Sequence, residues 1–374
     1  MSQHLTEERF MILQEINTRL YLDNTDHIVF VYCPPKLGST SIVSSIRISA
    51  SNIFKVFHVH DEKMLEMVTG VKNVTIQEII DFNVLLGKKV YVIDIYREPI
   101  ERKMSEFFGK IASYHFNAPT SRVEAYSMDR IIKRFNQVFT HIGNGDYFFE
   151  KYRDVIMNPP KGFDFDKGYI KHKQYENLTY IKLRLRDSHK WGHILTEILN
   201  TKITIIRDYE RKNLPLANLY AKFKQAYKIP INFIHYMHMD NYMRFYLSTK
   251  ERDEYLSKWS ENTSTPFNDF TTTEYKLYLS ISDENQSYID IESEHYFDEG
   301  CTCKSCEAMR KKVLLQILQG KEPTTRIAHS AIMKLARNPL AVAHRPQIPA
   351  PPSSIPVKSG SNMGMMLRTN RFRR

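Results

Sequence analysis

The chain has 374 residues, of which 42% are hydrophobic and 25% are charged, so it is long enough to bury a substantial core. Its formal net charge of +11 is concentrated at one end. Residues 310–374 contain 13 Lys and Arg and one acidic residue (+12), so residues 1–309, with 40 basic and 41 acidic residues, carry −1. The basic composition therefore does not indicate that the body of the protein binds nucleic acid.

The sequence lacks the patterns typical of membrane and secreted proteins. It contains no run of 18 apolar residues, so we expect no membrane span. The first residues do not show the basic and then apolar pattern of a signal peptide. Four cysteines in 374 residues do not suggest a disulfide framework. We therefore expect a cytoplasmic location, in a bacterium or, for a viral protein, in the host cytoplasm or virion.

Strand and helix patterns alternate along the first 260 residues. Patterns typical of helices cover Thr6–Leu20, Thr75–Leu86, Ser127–Thr140, Leu216–Tyr227 and Thr249–Trp259. Apolar patterns typical of strands cover His27–Tyr32, Lys89–Tyr96, Tyr180–Arg186 and Lys202–Arg207. This alternation predicts an α/β fold built from right-handed parallel units around a central sheet.

The segment Cys33–Ser41 (CPPKLGSTS) directly follows the first predicted strand and precedes a segment that can open a helix. Backbone amides at a helix N-terminus bind anions, and the helix dipole favours negative charge there. The segment adds one cation, one glycine and three hydroxyls: Lys36, Gly38, Ser39, Thr40 and Ser41. In nucleotide-triphosphatase P-loops the lysine follows the second glycine, whereas Lys36 precedes Gly38. The segment therefore predicts an anion site of a different type.

A second candidate element follows the strand Lys89–Tyr96. Arg97 stands at the carboxyl end of this strand, where open α/β sheets bind ligands. Ser105 lies eight residues further on, in a helix predicted to begin at Pro99. An arginine and a serine can grip a second phosphate with charge-assisted hydrogen bonds.

Together the two elements resemble the phosphate-binding elements of sulfotransferases that use 3′-phosphoadenosine-5′-phosphosulfate (PAPS). Cys33–Ser41 matches the 5′-phosphosulfate loop, P-K-x-G-S/T-T/S, and Arg97 with Ser105 matches the 3′-phosphate element. The closest resemblance is to the capsular polysaccharide synthesis family of that superfamily, over about residues 25–260. The chain departs from that family at Pro35, where Gly is usual, although Pro-Lys is common elsewhere in the superfamily.

The segment Val56–Asp61 (VFHVHD) lies between the two elements, and strand periodicity places His58 and His60 on one face. The residues alone leave open whether these histidines are catalytic or packed in the core. The pair resembles the segment that carries the catalytic base in the carbohydrate 2-O-sulfotransferase branch. Asp61 could orient His60 or start a turn.

The resemblance implies a P-loop-like, three-layer α/β fold and in-line transfer of a sulfuryl group from PAPS to a carbohydrate hydroxyl, with no metal required. His60, or alternatively His58, would be the general base, and Lys36 would stabilise developing charge. The loop Lys36–Ser41 would hold the 5′-phosphate, and Arg97 with Ser105 would hold the 3′-phosphate.

Two other classes of function stay open. A non-catalytic structural or interaction protein could keep the fold, and its histidine pair would then point away from Lys36. A nucleotide-binding, kinase-like enzyme would need an acidic residue near Ser39 to bind Mg²⁺, and the sequence places none obviously there.

The pattern weakens beyond about residue 260. We predict a sulfotransferase-like domain over residues 1–262, an extension over 263–337, and a disordered, basic, proline-rich tail over 338–374 that could contact a polyanion. The extension contains a cluster that could bind zinc or remain free thiols: His295, Cys301, Cys303 and Cys306.

Overall fold

The computed structural model describes residues 5–116, 118, 120–144, 163–207, 216–260, 265–284 and 319. All of these belong to one compact unit, which spans Met1–Ala331. Outside the described residues lie the tail 338–374 and the four zinc candidates, His295, Cys301, Cys303 and Cys306. These predictions, and the domain boundary at residue 262, stay predictions.

The described residues alternate between strands and helices, as the sequence predicts. The strands are β1 (His27–Tyr32), β2 (Lys55–Val59), β3 (Lys89–Tyr96), β4 (Tyr169–Tyr175) and β5 (Leu178–Arg184). The first seven helices are α1 (Glu7–Arg19), α2 (Ser39–Ala50), α3 (Glu62–Thr69), α4 (Ile76–Leu85), α5 (Pro99–Gly109), α6 (Thr120–Glu124) and α7 (Met128–Val138). The later helices are α8 (Trp191–Leu199), α9 (Ala217–Ala226), α10 (Ile231–His238), α11 (Asn241–Tyr246), α12 (Thr249–Trp259) and α13 (Thr272–Glu284). Across the described ranges, none of these helices is both long and apolar enough to pass through a lipid bilayer.

The five strands form one sheet in the order β2-β1-β3-β5-β4. The first four strands of this order are parallel, and β4 pairs with β5 in the antiparallel direction. β1 and β3 are apolar almost throughout, and all but the first residue of each is buried, as expected of parallel strands covered on both faces. The predicted α/β class with a mostly parallel sheet is confirmed.

After β2 the next strand is added on the other side of β1, although all three strands run parallel. The connection from β1 to β2 runs to one side, and the connection from β2 to β3 returns past β1 to the other. Since parallel crossovers are almost always right-handed, α2 and α4 lie on opposite faces of the sheet. The carboxyl ends of β1 and β3 are neighbours at this point of the strand order, which is where open α/β sheets bind ligands.

Several predicted element bounds are close to those observed. Thr6 caps α1 by accepting a hydrogen bond from the Arg9 amide, at 3.2 Å. The predictions for β1, β3 and α12 match their observed bounds. β4 has no strand signal in the sequence, because this edge strand (YIKHKQY) is mostly polar and only Ile170 in it is buried.

The prediction of a strand at Lys202–Arg207 was wrong. This segment forms no strand, because its backbone amides donate hydrogen bonds to side chains of other elements instead of to a neighbouring strand. The amides of Thr204 and Ile206 donate to the hydroxyls of Ser49 and Ser45 on α2, at 3.0 and 2.7 Å. The two serines lie one helical turn apart, so they hold an extended segment along α2 without a strand partner.

Residues 265–284 pack against the region around α7. The Phe270 amide donates to the Gln137 carbonyl at 2.8 Å, and the Thr140 hydroxyl donates to the Asp269 carboxylate. Tyr278 on α13 is hydrogen bonded to His115, which lies in a short π-helical turn after α5, at 2.7 Å. These contacts attach the segment that follows α12 to the body of the protein.

Candidate functional site

The segment Cys33–Ser41 forms the connection from β1 to α2 at the carboxyl edge of the sheet. Gly38 is the N-cap of α2, and because glycine has no side chain, no N-cap group competes for the first amides of the helix. The positive end of this 12-residue helix therefore lies at the carboxyl edge of the sheet, just after β1. The first amides of α2 therefore have no side-chain cap from Gly38, and the anion site stays a prediction.

Gly38 is required at this position for two reasons. Its φ of 90° lies in the left-handed region, which L-residues with a side chain rarely adopt. A Cβ at this position would also lie 2.9 Å from Leu185 Cδ1 and 3.4 Å from the Trp191 ring. The loop therefore packs directly against the chain that follows β5.

Replacing Gly38 by alanine should lower the free energy of unfolding by about 2 kcal/mol, because a strained φ and a steric overlap add. Gly87 is the matched control, since its φ is also positive, at 78°, but a Cβ there would have no neighbouring atom within 4 Å. Urea denaturation of Gly38→Ala and Gly87→Ala separates the two contributions. Equal losses in both variants would show that the contact with Leu185 tolerates a methyl group.

Lys36 also has a left-handed backbone, with φ at 69°, a conformation that costs about 1–2 kcal/mol in a residue other than glycine. Its half-buried side chain extends to the C-terminal end of α5. A Cβ on Gly109 would lie 3.2 Å from Lys36 Cε and 3.5 Å from Nζ, so this glycine leaves room for the ammonium group. The negative end of the α5 dipole favours a cation there.

The three hydroxyls of the loop differ in their surroundings. Ser39 is 2% exposed, and its Oγ lies 3.0 Å from His58 Nε2. Thr40 is also buried, whereas Ser41 is half-buried. The Ser39 hydroxyl thus holds the loop against β2, and Ser41 is the most accessible of the three predicted phosphate contacts.

His60 stands just after β2, and its Nδ1 lies 2.6 Å from the carbonyl oxygen of Cys33. A carbonyl only accepts, so Nδ1 carries a proton, and in the neutral tautomer that fits this contact the lone pair is on Nε2. The ring is half-buried. This tautomer is the one that a general base needs, with the proton-accepting nitrogen on the side of the ring away from the carbonyl.

His58 and His60 lie on one face, as predicted, with ring centroids 4.6 Å apart. His58 is 3% exposed and contacts the loop through Ser39. Asp61 accepts a hydrogen bond from the Met64 amide at 2.7 Å and caps α3, so its carboxylate starts the helix. Both histidines therefore contact the segment Cys33–Ser41, His58 through Ser39 and His60 through the Cys33 carbonyl, and His60 is the more accessible of the two.

Arg97 connects the second predicted element to the first. Its guanidinium donates to the Lys36 carbonyl at 2.7 Å, so the carboxyl ends of β1 and β3 are joined by a direct hydrogen bond. Ser105 lies two turns along α5 and is half-buried. Pro99 occupies the first turn of α5, where its missing N–H is not needed. The structure thus brings Arg97 to the loop and places Ser105 on the helix that follows.

Lys224 on α9, an exposed residue with no signal in the sequence, lies near this element. Partial burial lowers the pKa of its ammonium group, and the positive charge of Arg97 lowers this pKa further. The negative charge of Glu101 raises it. Glu98 lies beside the same groups, and burial raises the pKa of its carboxyl group. Lys224 falls in a predicted helix, but only tertiary packing brings it to the end of β3.

Asp94 on β3 forms a buried ion pair with Lys182. Its charge also affects the pKa of Cys33, at the start of the loop. Its Oδ2 lies 2.7 Å from Lys182 Nζ, with side-chain exposures of 1% and 0%, and its Oδ1 accepts from the Ile95 amide. Burial, followed by the Asp94 charge, raises the pKa of the Cys33 thiol well above its usual value. The described residues contain no cluster of three or more His, Cys, Asp or Glu side chains that could hold a metal ion.

Comparisons of this chain with protein-family models, with curated proteins and with solved structures found no match.

Proposed function

We propose that the protein is a PAPS-dependent sulfotransferase with a P-loop-like, three-layer fold, which moves a sulfuryl group to a carbohydrate hydroxyl. The observation that carries this proposal is the 2.7 Å hydrogen bond from Arg97 to the Lys36 carbonyl. It joins the two elements that would bind the 5′- and 3′-phosphates, so a single nucleotide would touch both. His60 contacts the same loop through the Cys33 carbonyl.

The residues of the site have distinct roles in this mechanism. The amides at the start of α2, with Thr40 and Ser41, would hold the 5′-phosphate, and Lys36 would stabilise the negative charge that develops during transfer. Arg97 and Ser105, supported by Lys224, would hold the 3′-phosphate. His60 Nε2 would accept the proton of the attacking hydroxyl, and His58 would keep Ser39 and the loop in position. Positioning and charge stabilisation would supply most of the rate enhancement.

A kinase-like enzyme is the weaker alternative. It would need an acidic side chain near Ser39 that can hold Mg²⁺. Asp94 lies on the strand that would supply one, but both of its oxygens are engaged by Lys182 and the Ile95 amide. A non-catalytic protein stays open as an alternative, since His58 contacts Ser39 and His60 contacts the Cys33 carbonyl, whereas the Lys36 side chain extends to Gly109 on α5.

Nucleotide binding tests the proposal directly. The protein should bind 3′-phosphoadenosine 5′-phosphate (PAP) more tightly than ADP, because only PAP has a 3′-phosphate. Arg97→Ala should weaken PAP binding by about 10- to 100-fold, the usual effect of losing hydrogen bonds to a charged group, and change ADP binding much less. Isothermal titration calorimetry measures both affinities.

Arg122→Ala is the matched control for this experiment, since Arg122 is exposed on α6. It should bind PAP as the wild type does. Thermal melting of each variant shows whether the loss of the hydrogen bond to Lys36 has unfolded the protein. Equal affinities of the wild type for PAP and ADP would contradict the proposal.

A further inference from the structure

A cavity of about 190 Å³ lies beside the candidate site, between the start of α5, the turn at residues 143–144 and the α10–α11 connection. Arg97 forms one wall, so the cavity opens next to the second predicted phosphate element. Ser105 does not line it. The residues that matter most for its chemistry are Arg102, Lys103, Tyr236 and Asp240.

Lys103 is the unusual group in this cavity. It is 1% exposed, and a buried ammonium is costly unless its donors are satisfied. Its Nζ donates to the Ile142 carbonyl at 2.6 Å and to Asn144 Oδ1 at 2.8 Å. An ammonium has three N–H donors, and these two acceptors from the described residues account for two of them. Nζ also lies 5.1 Å from the centroid of the Phe139 ring, which does not line the cavity.

The turn above Lys103 is built to keep this side chain in place. Gly143 has a φ of 62°, and a Cβ there would lie 2.7 Å from Lys103 Cγ and 2.9 Å from its Cα. The Gly143 amide also donates to the Glu106 carboxylate at 2.9 Å. Arg102 donates to the Asn144 carbonyl at 3.1 Å. The close approach that glycine permits therefore seals Lys103 from bulk solvent on this side.

The charges around the cavity favour an anion. Three basic side chains line it, those of Arg97, Arg102 and Lys103, against one acidic side chain, that of Asp240. Asp240 accepts from the Met243 amide at 2.7 Å and caps α11, so one of its oxygens is used for a structural purpose. Tyr236 adds a hydroxyl and an aromatic ring, whose centroid is 5.9 Å from Lys103 Nζ.

We propose that this cavity is a second anion site, which binds a sulfate, phosphate or carboxylate group through Lys103 and Arg102. Such a group has several acceptor oxygens for the ammonium group of Lys103 and for the guanidinium. The site does not depend on the proposed sulfotransferase activity. The anion would come either from a phosphate of a nucleotide held at Arg97 or from an acidic group of a second substrate.

Titration of the protein with sodium sulfate, at constant ionic strength, tests the site by calorimetry. Lys103→Met keeps the length of the side chain and removes its charge, so sulfate should bind about 10- to 100-fold more weakly. Lys133→Met, on the exposed face of α7, is the control and should bind sulfate as the wild type does. Unchanged sulfate affinity in folded Lys103→Met overturns the proposal.

Lys36→Met separates this site from the proposed nucleotide site. It should weaken PAP binding while the cavity still takes up sulfate. Competition then identifies the source of the anion: PAP displaces sulfate if a nucleotide phosphate occupies the cavity, and both bind together if a second substrate does. Loss of all sulfate binding in Lys36→Met would place the anion at the loop and overturn the proposal.

A second variant keeps the test valid if Lys103→Met does not fold. Asp240→Asn removes the negative charge, and asparagine is an equally good N-cap. Because Asp240 also raises the pKa of Lys103, the variant is compared with the wild type well below pH 7, where Lys103 is an ammonium in both and sulfate should bind more tightly to the variant. Weaker or unchanged binding in this variant would overturn the proposal.

The affinity for sulfate should also depend on pH. Burial, and then the charge of Arg102, lowers the pKa of Lys103 to about 7, whereas Glu106 and Asp240 raise this pKa. The Tyr236 ring also faces the Lys103 ammonium group. Only the ammonium form attracts an anion, so affinity should be greatest below pH 7 and fall as the pH rises above it. Sulfate keeps its charge over this range. A flat profile from pH 6 to pH 9 would contradict the role of Lys103.

Discussion

His60→Ala should lower the rate of sulfate transfer by roughly 10²- to 10⁴-fold, which is the usual effect of removing a general base. It should leave PAP affinity close to that of the wild type, because His60 contacts the loop through the Cys33 carbonyl and would not touch the phosphates. The measurement is transfer of radioactive sulfate from labelled PAPS to a panel of unsulfated polysaccharides, with PAP binding measured in parallel.

Two further variants make this test specific. His193→Ala is the matched control, since His193 is exposed on α8, and it should transfer sulfate at the wild-type rate. His58→Ala should weaken PAP binding, because it removes the partner of Ser39. Near-wild-type transfer by His60→Ala would reject the assignment, and a loss of rate without a loss of PAP affinity in His58→Ala alone would move the role to His58.

Lys182→Met should lower the free energy of unfolding by about 3–5 kcal/mol, because it leaves the Asp94 carboxylate buried without its cation. The two side chains are 0% and 1% exposed and their charged atoms lie 2.7 Å apart. Both stand on the paired strands β3 and β5, where Asp94 and Lys182 are register partners. Urea denaturation measures the loss.

The exposed pair Lys250 and Glu254 on α12, at 4.0 Å, provides the control. Lys250→Met should change stability by less than about 0.5 kcal/mol, since exposed ion pairs contribute little. Adding Asp94→Asn to Lys182→Met removes the uncompensated charge and should restore part of the stability. A loss in Lys182→Met no larger than that in Lys250→Met would show that the buried carboxylate has another compensating partner.

The sequence determined the elements of this protein whose signals are local. The apolar runs of β1 and β3 and the helical pattern that starts at Thr6 predict elements that the structure confirms, because strand and helix periods depend on residues close in the chain. The turn around Gly38 is local in the same sense. Its order of proline, lysine, glycine and hydroxyls is what suggested an anion site.

Tertiary structure alone decided how these elements meet. Nothing near Lys202–Arg207 in the sequence shows that Ser45 and Ser49 hold this segment along α2, so its apolar residues wrongly predict a strand. The distances that define the site also join residues far apart in the chain, such as Arg97 and Lys36, and Lys224 reaches the same region only through the packing of α9.

The cavity around Lys103 shows most clearly the difference between what local sequence patterns predict and what tertiary contacts decide. In the sequence, Lys103 is one of several charged residues on an amphipathic helix, a pattern typical of a solvated face. Its burial and lowered pKa arise because the turn at Gly143 and the α10–α11 connection close over it. Local periodicity thus determined which elements form, whereas burial and charge environment depended on contacts between distant segments, which no local pattern encodes.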